Sequence, residues 1–201
     1  MTIFTAVRVR GGLLGEVLAA FPLAEPYVRG RAEKRNKTSA EQSVCGLYAL
    51  LLLLRRAGED TTRLRFGAER GGKPYLEGSR LHFTVSHSAS LAVCALSDAP
   101  VGADVEKVRE MPDAAMLADR FFSADEAAAV RSANDPSREL LRIWTRKEAL
   151  IKREGKGIDA VLSGIDVSGR FTEREMTADG ETYLVCVTGE AEYMSFTEGS
   201  I

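Results

Sequence analysis

No stretch of this sequence stays apolar long enough to cross a membrane. The best candidate, Val44 to Leu54, is interrupted by Gly46 and followed by Arg55 and Arg56. That falls far short of the roughly 20 residues a span requires, so the run reads as a buried helix. The opening MTIFTAVRVR lacks the apolar centre of a secretory leader. Cysteine is scarce too: Cys45, Cys94 and Cys186 form no CxxC pair, which argues against a disulfide framework or a zinc cluster. Each sits among apolar neighbours and is expected to be a small core residue in a reducing compartment, the cytoplasm. An excess of either charge is missing as well. With 27 Lys and Arg against 29 Asp and Glu, the net charge is −2. No global field would then hold nucleic acid or an anionic membrane, and any anion site has to be local. Neither GxGxxG nor GxxxxGK[ST] occurs, which excludes a Rossmann or P-loop nucleotide site. The absence of Gly-x-Ser-x-Gly sets aside a hydrolase elbow at Ser86-His87-Ser88.

What is present suffices for a sizeable core: 45% of the 201 residues are hydrophobic, enough for one larger domain or two small ones. Ile3 to Arg10 alternates like a strand. Ser39 and Gln42 form a capping-box pattern ahead of a helix from about Ala40 to Ala57, closed by Gly58. A short strand around Leu64 leads to a loop presenting Lys73 and Pro74. The run HFTVSHSASLAVCALSDAPVGADVE reads as a three-stranded meander, with Leu81, Phe83 and Val85 on one face and His82, Thr84 and Ser86 on the other. Beyond it, Met116 to Phe122 is helical and Ser123 with Glu126 forms a capping box. Asp135-Pro136 opens a long helix to Glu154, stopped by Gly155 and Gly157. Short strand-like runs such as Tyr183 to Val187 fill the remainder. The class is α+β, and each half offers a helix plus strands, which permits two similar α/β lobes.

Asp104 and Glu106, two apart on a strand, leave it on one face, while Ala103 and Val105 point away. Carboxylates this close raise each other's pKa unless a cation sits between them; the alternative is the solvated face of an edge strand. Glu148 and Lys152, four apart on the long helix, lie beside Leu141 and Trp144 at the edge of its apolar stripe. They form either an ordinary surface pair or a partly desolvated acid and base whose protonation can be tuned. Lys34, Arg35, Lys73 and Lys152 are far apart in sequence, and periodicity does not say whether the fold gathers them around one anion.

Five blocks in order, GGKP (71–74), HFTVSHS (82–88), VGADVE (101–106), RFFSADE (120–126) and WTRKEALIKREGKG (144–157), resemble the surfactin-type 4′-phosphopantetheinyl transferases. The resemblance implies two similar lobes, divided here into 1–97 and 98–201, with coenzyme A in the cleft between them. It implies transfer of the phosphopantetheine arm of coenzyme A to a serine of an acyl or peptidyl carrier protein, releasing adenosine 3′,5′-bisphosphate. By position it assigns Asp104, Glu106 and Glu148 to Mg²⁺ and places Lys152 near the pyrophosphate; with those places taken, Glu148 is expected to take the carrier serine's proton, directly or through a metal-bound water, and Lys152 to serve the leaving group. Lys73, Ser86 and His87 correspond to coenzyme A contacts, and Lys34 or Arg35 to basic residues near its 3′-phosphate. A monomer is expected, with the carrier docking in the second lobe near the segment after Gly157. One residue departs from the pattern: Gln42 stands where many relatives carry an arginine directed at the 3′-phosphate. Two other readings use the same residues, a metal-dependent phosphoanhydride hydrolase and a non-catalytic coenzyme A-binding module.

Overall fold

The computed structural model describes residues 1–33, 36–69, 71–155 and 162–196. In chain order its elements are β1 (Thr2–Arg8), α1 (Leu14–Ala20), α2 (Glu25–Ala32), α3 (Lys37–Arg56), β2 (Arg65–Ala68), β3 (Pro74–Glu77), β4 (His82–Ser88), β5 (Leu91–Ser97), β6 (Ala103–Lys107), α4 (Ala114–Phe121), α5 (Ala124–Ser132), α6 (Pro136–Glu154), β7 (Phe171–Ala178), β8 (Glu181–Thr188) and β9 (Glu192–Tyr193). The result is a mixed α+β fold. No helix among the described residues is long and apolar enough to cross a membrane.

The apolar run of β5 is explained by burial on both faces. Ala92, Cys94 and Leu96 join a core beneath α3 with Phe83, Leu50 and Leu54. Leu91, Val93 and Ala95 point the other way, into a second core shared with Val101, Ala103, Val105, Tyr183, Val185 and Val187. That second core is where a four-stranded sheet, ordered β4-β5-β1-β9, packs on a three-stranded sheet, ordered β6-β8-β7. α3 covers the first sheet and α6 packs on β6 and β8 of the second. The strand after β5 is therefore not the third member of a meander, as its sequence suggested. β5 already has β4 on one side and β1 on the other. With both ladders taken, β6 pairs antiparallel with β8 instead.

Helix ends follow local chemistry. Asp135 caps α6 by accepting from Arg138 N, Pro136 occupies the first turn, and Gly155 terminates it at φ +66°. The Ser123–Glu126 capping box forms as expected. α3 differs: it starts at Lys37, and Asn36 rather than Ser39 is the cap, accepting from Ser39 N. All three cysteines are buried and free. Burial pushes the Cys94 and Cys186 thiols well up, so both behave as core residues.

Candidate active-site cleft

β4 and β6 are the facing edges of the two sheets, and side chains bridge them in matching steps of two. Ser86 Oγ donates to Asp104 Oδ1 at 2.7 Å, and one step on Ser88 Oγ donates to Glu106 Oε2 at 3.3 Å. From α6, Lys152 Nζ donates to Asp104 Oδ1 at 2.6 Å and to Ser86 Oγ at 2.8 Å. Strand periodicity thus presents Asp104 and Glu106 on one face, and helix periodicity presents Glu148 and Lys152 toward it. Gly102 is what lets α6 lie this close. A β-carbon there would overlap the backbone of Ala149 and Arg153. Gly102→Ala should therefore cost at least about 1–3 kcal/mol of overpacking and move Lys152 off Asp104. The expected result is a lowered melting temperature, checked by thermal unfolding.

Burial is the main cause that raises the Glu106 carboxyl above the usual range, and neighbouring Asp104 adds to it. Glu148 is raised in the same way by burial first, then by Asp104 and Glu106, while Lys152 opposes the shift. The three carboxylates therefore feel one another. Among the described residues, no three His, Cys, Asp or Glu side chains stand close enough to form a ready-made metal cage. The donor set nevertheless suits a hard cation. Asp104 Oδ2 is buried and lacks a hydrogen-bond partner among the described residues. An orphaned carboxylate oxygen in the same cleft as two carboxyls of raised pKa is an environment a divalent ion would satisfy.

These groups lie in a cleft of about 770 Å³ between the sheet edges and α6. Lys73, Ser86, His87, Asp104, Glu106, Glu148 and Lys152 all line it, so the fold gathers residues spread over 80 positions of sequence. Lys34 and Arg35 lie outside the described residues, as do 156–161. Lys73 is anchored: its Nζ donates to Val101 O at 3.2 Å and Arg153 O at 3.0 Å, and burial lowers its pKa. It ties the β2–β3 hairpin to the end of α6. His87 is exposed on the cleft wall. Gln42 is buried, its Nε2 donating to Ala89 O at 2.9 Å, so it braces the β4–β5 turn.

Sequence reasoning missed the far wall. Tyr27 and Arg31 of α2 line it, with Tyr27 stacked on Phe66 at 4.5 Å and the Arg31 guanidinium 5.2 Å from the Tyr27 ring centroid. The two are tied to each other as well, Arg31 Nη2 donating to Tyr27 Oη at 3.1 Å. Neither residue sits in a motif; only the stacking identifies them. Trp144 also lines the cleft, and with Glu106 it lines an adjoining apolar pocket as well.

Residues 100–195 match the family model of the 4′-phosphopantetheinyl transferase superfamily. A 4′-phosphopantetheinyl transferase of Bacillus subtilis is 32% identical over 148 residues, covering 68% of this chain and 65% of the relative. The 4′-phosphopantetheinyl transferase psf-1 of Bacillus pumilus is 39% identical over 122 residues, covering 59% and 48%. AcpT of Salmonella typhi, also a 4′-phosphopantetheinyl transferase, is 38% identical over 116 residues, covering 56% and 59%. The chain thus spans about half to two thirds of the length of the curated relatives it matches. The segment that matches the 4′-phosphopantetheinyl transferase superfamily, residues 100–195, is the one that carries Asp104, Glu106, Glu148 and Lys152.

Proposed function

We propose that this protein moves the 4′-phosphopantetheine arm of coenzyme A onto a serine hydroxyl of an acyl or peptidyl carrier protein. The observation that carries the reading is the Ser86–Asp104–Lys152 knot with its orphaned Oδ2, set in the same cleft as Glu106 and Glu148. Coenzyme A would lie along the cleft, its adenine toward Tyr27 and its pyrophosphate toward Lys152 and Ser86. His87 faces the same cleft, and Lys34 or Arg35 would serve the 3′-phosphate. Asp104, Glu106 and Glu148 would hold Mg²⁺, which supplies charge neutralisation at the pyrophosphate oxygens.

The chain's own residues then perform the proton chemistry. Glu148, made more basic by burial and its acidic neighbours, takes the proton of the carrier serine. The serine oxygen forms a bond to the β-phosphorus, and the bond from that phosphorus to the bridging oxygen breaks. Lys152 steadies the departing charge and can return a proton to the leaving adenosine 3′,5′-bisphosphate. The two long helices over their sheets support a division into two similar lobes, 1–97 and 98–201, related by a pseudo-twofold axis. We further propose a monomer acting in the cytoplasm, in keeping with three free buried thiols.

Mass spectrometry of an apo carrier incubated with the protein, coenzyme A and Mg²⁺ tests the reading. Gain of one phosphopantetheine on serine, abolished by chelation, is the expected result. Release of bisphosphate without a carrier would instead establish the hydrolase, and tight coenzyme A binding without transfer to any carrier the binding module.

A further inference from the structure

We infer that Ser88 is a positioning residue for the cation site, holding Glu106 against the pull of Arg109; the inference rests on the metal reading above. Glu106 Oε2 lies between two donors. Ser88 Oγ approaches it from β4 at 3.3 Å, and Arg109 Nη1 approaches from the solvent side at 3.4 Å. The Arg109 side chain is 50% exposed and that of Glu106 only 23%, so a more solvated donor competes with Ser88 for the same carboxylate oxygen. Ser88 Oγ also accepts from Lys107 N at 3.1 Å, which fixes the hydroxyl to the backbone of the strand that carries Glu106. Arg109 Nη1 donates to Lys107 O at 3.3 Å, so both donors touch the Lys107 backbone, but only Ser88 lies within a paired strand, β4.

The turn behind Ser88 is braced from four sides. Gln42 of α3 holds Ala89 O at 2.9 Å. Val9 N donates to Ser90 O at 2.8 Å, and the Ser90 hydroxyl meets Tyr183 Oη at 2.8 Å. Lys107 N completes the set. Ala89 takes φ +45°, a left-handed conformation that an alanine adopts only where its surroundings impose it. Gln42 therefore has a task in this chain, as a brace for the turn that aims Ser88. Ser86 does for Asp104 what Ser88 does for Glu106, one step earlier on the same strand.

Groups that orient a metal-binding side chain are typically worth 10- to 100-fold in metal affinity. The test measures Mn²⁺ binding directly, from loss of the free-ion electron paramagnetic resonance signal at saturating coenzyme A, against a coenzyme A-only blank. Ser88→Ala should weaken binding by roughly tenfold, and Ser88→Thr, which keeps the hydroxyl, should not. Adding Arg109→Ala to Ser88→Ala should recover most of the loss, because it removes the competing donor; a packing defect would not be rescued this way. If Ser88→Ala does not fold, Ser88→Cys, close in size but a weak donor, takes its place with the same expectation. Equal Mn²⁺ affinity in wild type and the Ser88 variant, or no recovery in the double variant, overturns the inference while leaving the metal reading intact. Equal affinity in wild type and Glu106→Gln overturns the metal reading and the inference with it.

Discussion

Glu148→Gln should reduce phosphopantetheine transfer by roughly 10²–10⁴-fold, the range a positioned general base contributes, while the protein folds and still binds coenzyme A. The substitution keeps the shape of the side chain and removes its charge. Glu148 faces the cleft, and among the described residues it makes no hydrogen bond whose loss would loosen α6. Its carboxyl is held above its ordinary pKa by burial first and by Asp104 second, which means that the ionised form is disfavoured in the folded protein. A neutral amide relieves that repulsion, so the melting temperature should stay level or rise slightly. Loss of function without loss of stability separates a chemical role from a structural one. Single-turnover transfer to an apo carrier, run beside thermal unfolding and coenzyme A binding, gives the three readouts. Near-normal turnover would sink the base assignment; collapse of the melting temperature would make Glu148 a structural residue.

Which carboxylates share a face was legible in the sequence, because periodicity determines the side on which each leaves its element; that the faces form a site came from the resemblance. A two-residue step on β6 puts Asp104 and Glu106 on one face, and a four-residue step on α6 puts Glu148 and Lys152 on another. The ends of α6 were legible for a similar reason, since Asp135, Pro136 and Gly155 act locally. What periodicity does not carry is pairing. The sequence read β6 as the partner of β5, but the choice depends on which ladders β1 and β4 have already filled. Gln42 shows the same limit. Its spacing from Ser39 imitates a capping box, yet its amide reaches a turn 47 residues away. The resemblance implied a coenzyme A contact for Ser86; what the fold adds is the bond from its hydroxyl to Asp104, which exists only once two sheet edges lie side by side. Tyr27 and Arg31 were invisible because α2 is short and polar, and their placement follows from Phe66, on another element.

Lys147→Met should destabilise the protein by about 3–5 kcal/mol, the cost of breaking a buried ion pair by removing one partner. The residue directly precedes Glu148 and carries a charge, but its side chain is 0% exposed. Its Nζ donates to Leu162 O and Ile165 O, each at 2.8 Å, and pairs with Glu126 Oε1 at 2.8 Å. The face of Phe122 lies 5.3 Å away. Glu126 has a second task, since its Oε2 accepts from Ser123 N in the capping box of α5. Lys147 therefore joins three separate pieces: α6, the cap of α5 and the segment leading into β7. Methionine fills much of the same space but leaves a carboxylate and two carbonyls without their donor. For a chain of this size each kcal/mol shifts the melting temperature by about 2–4 °C, so the expected drop is on the order of 6–20 °C. Glu126→Gln added to Lys147→Met should recover part of it, because the stranded charge disappears while the two carbonyls stay unsatisfied. A drop of less than about 2 °C in the single variant would mean that water replaces the ammonium at little cost. Full recovery in the double variant would mean that the carbonyls contribute nothing and that the ion pair alone accounts for the burial of Lys147.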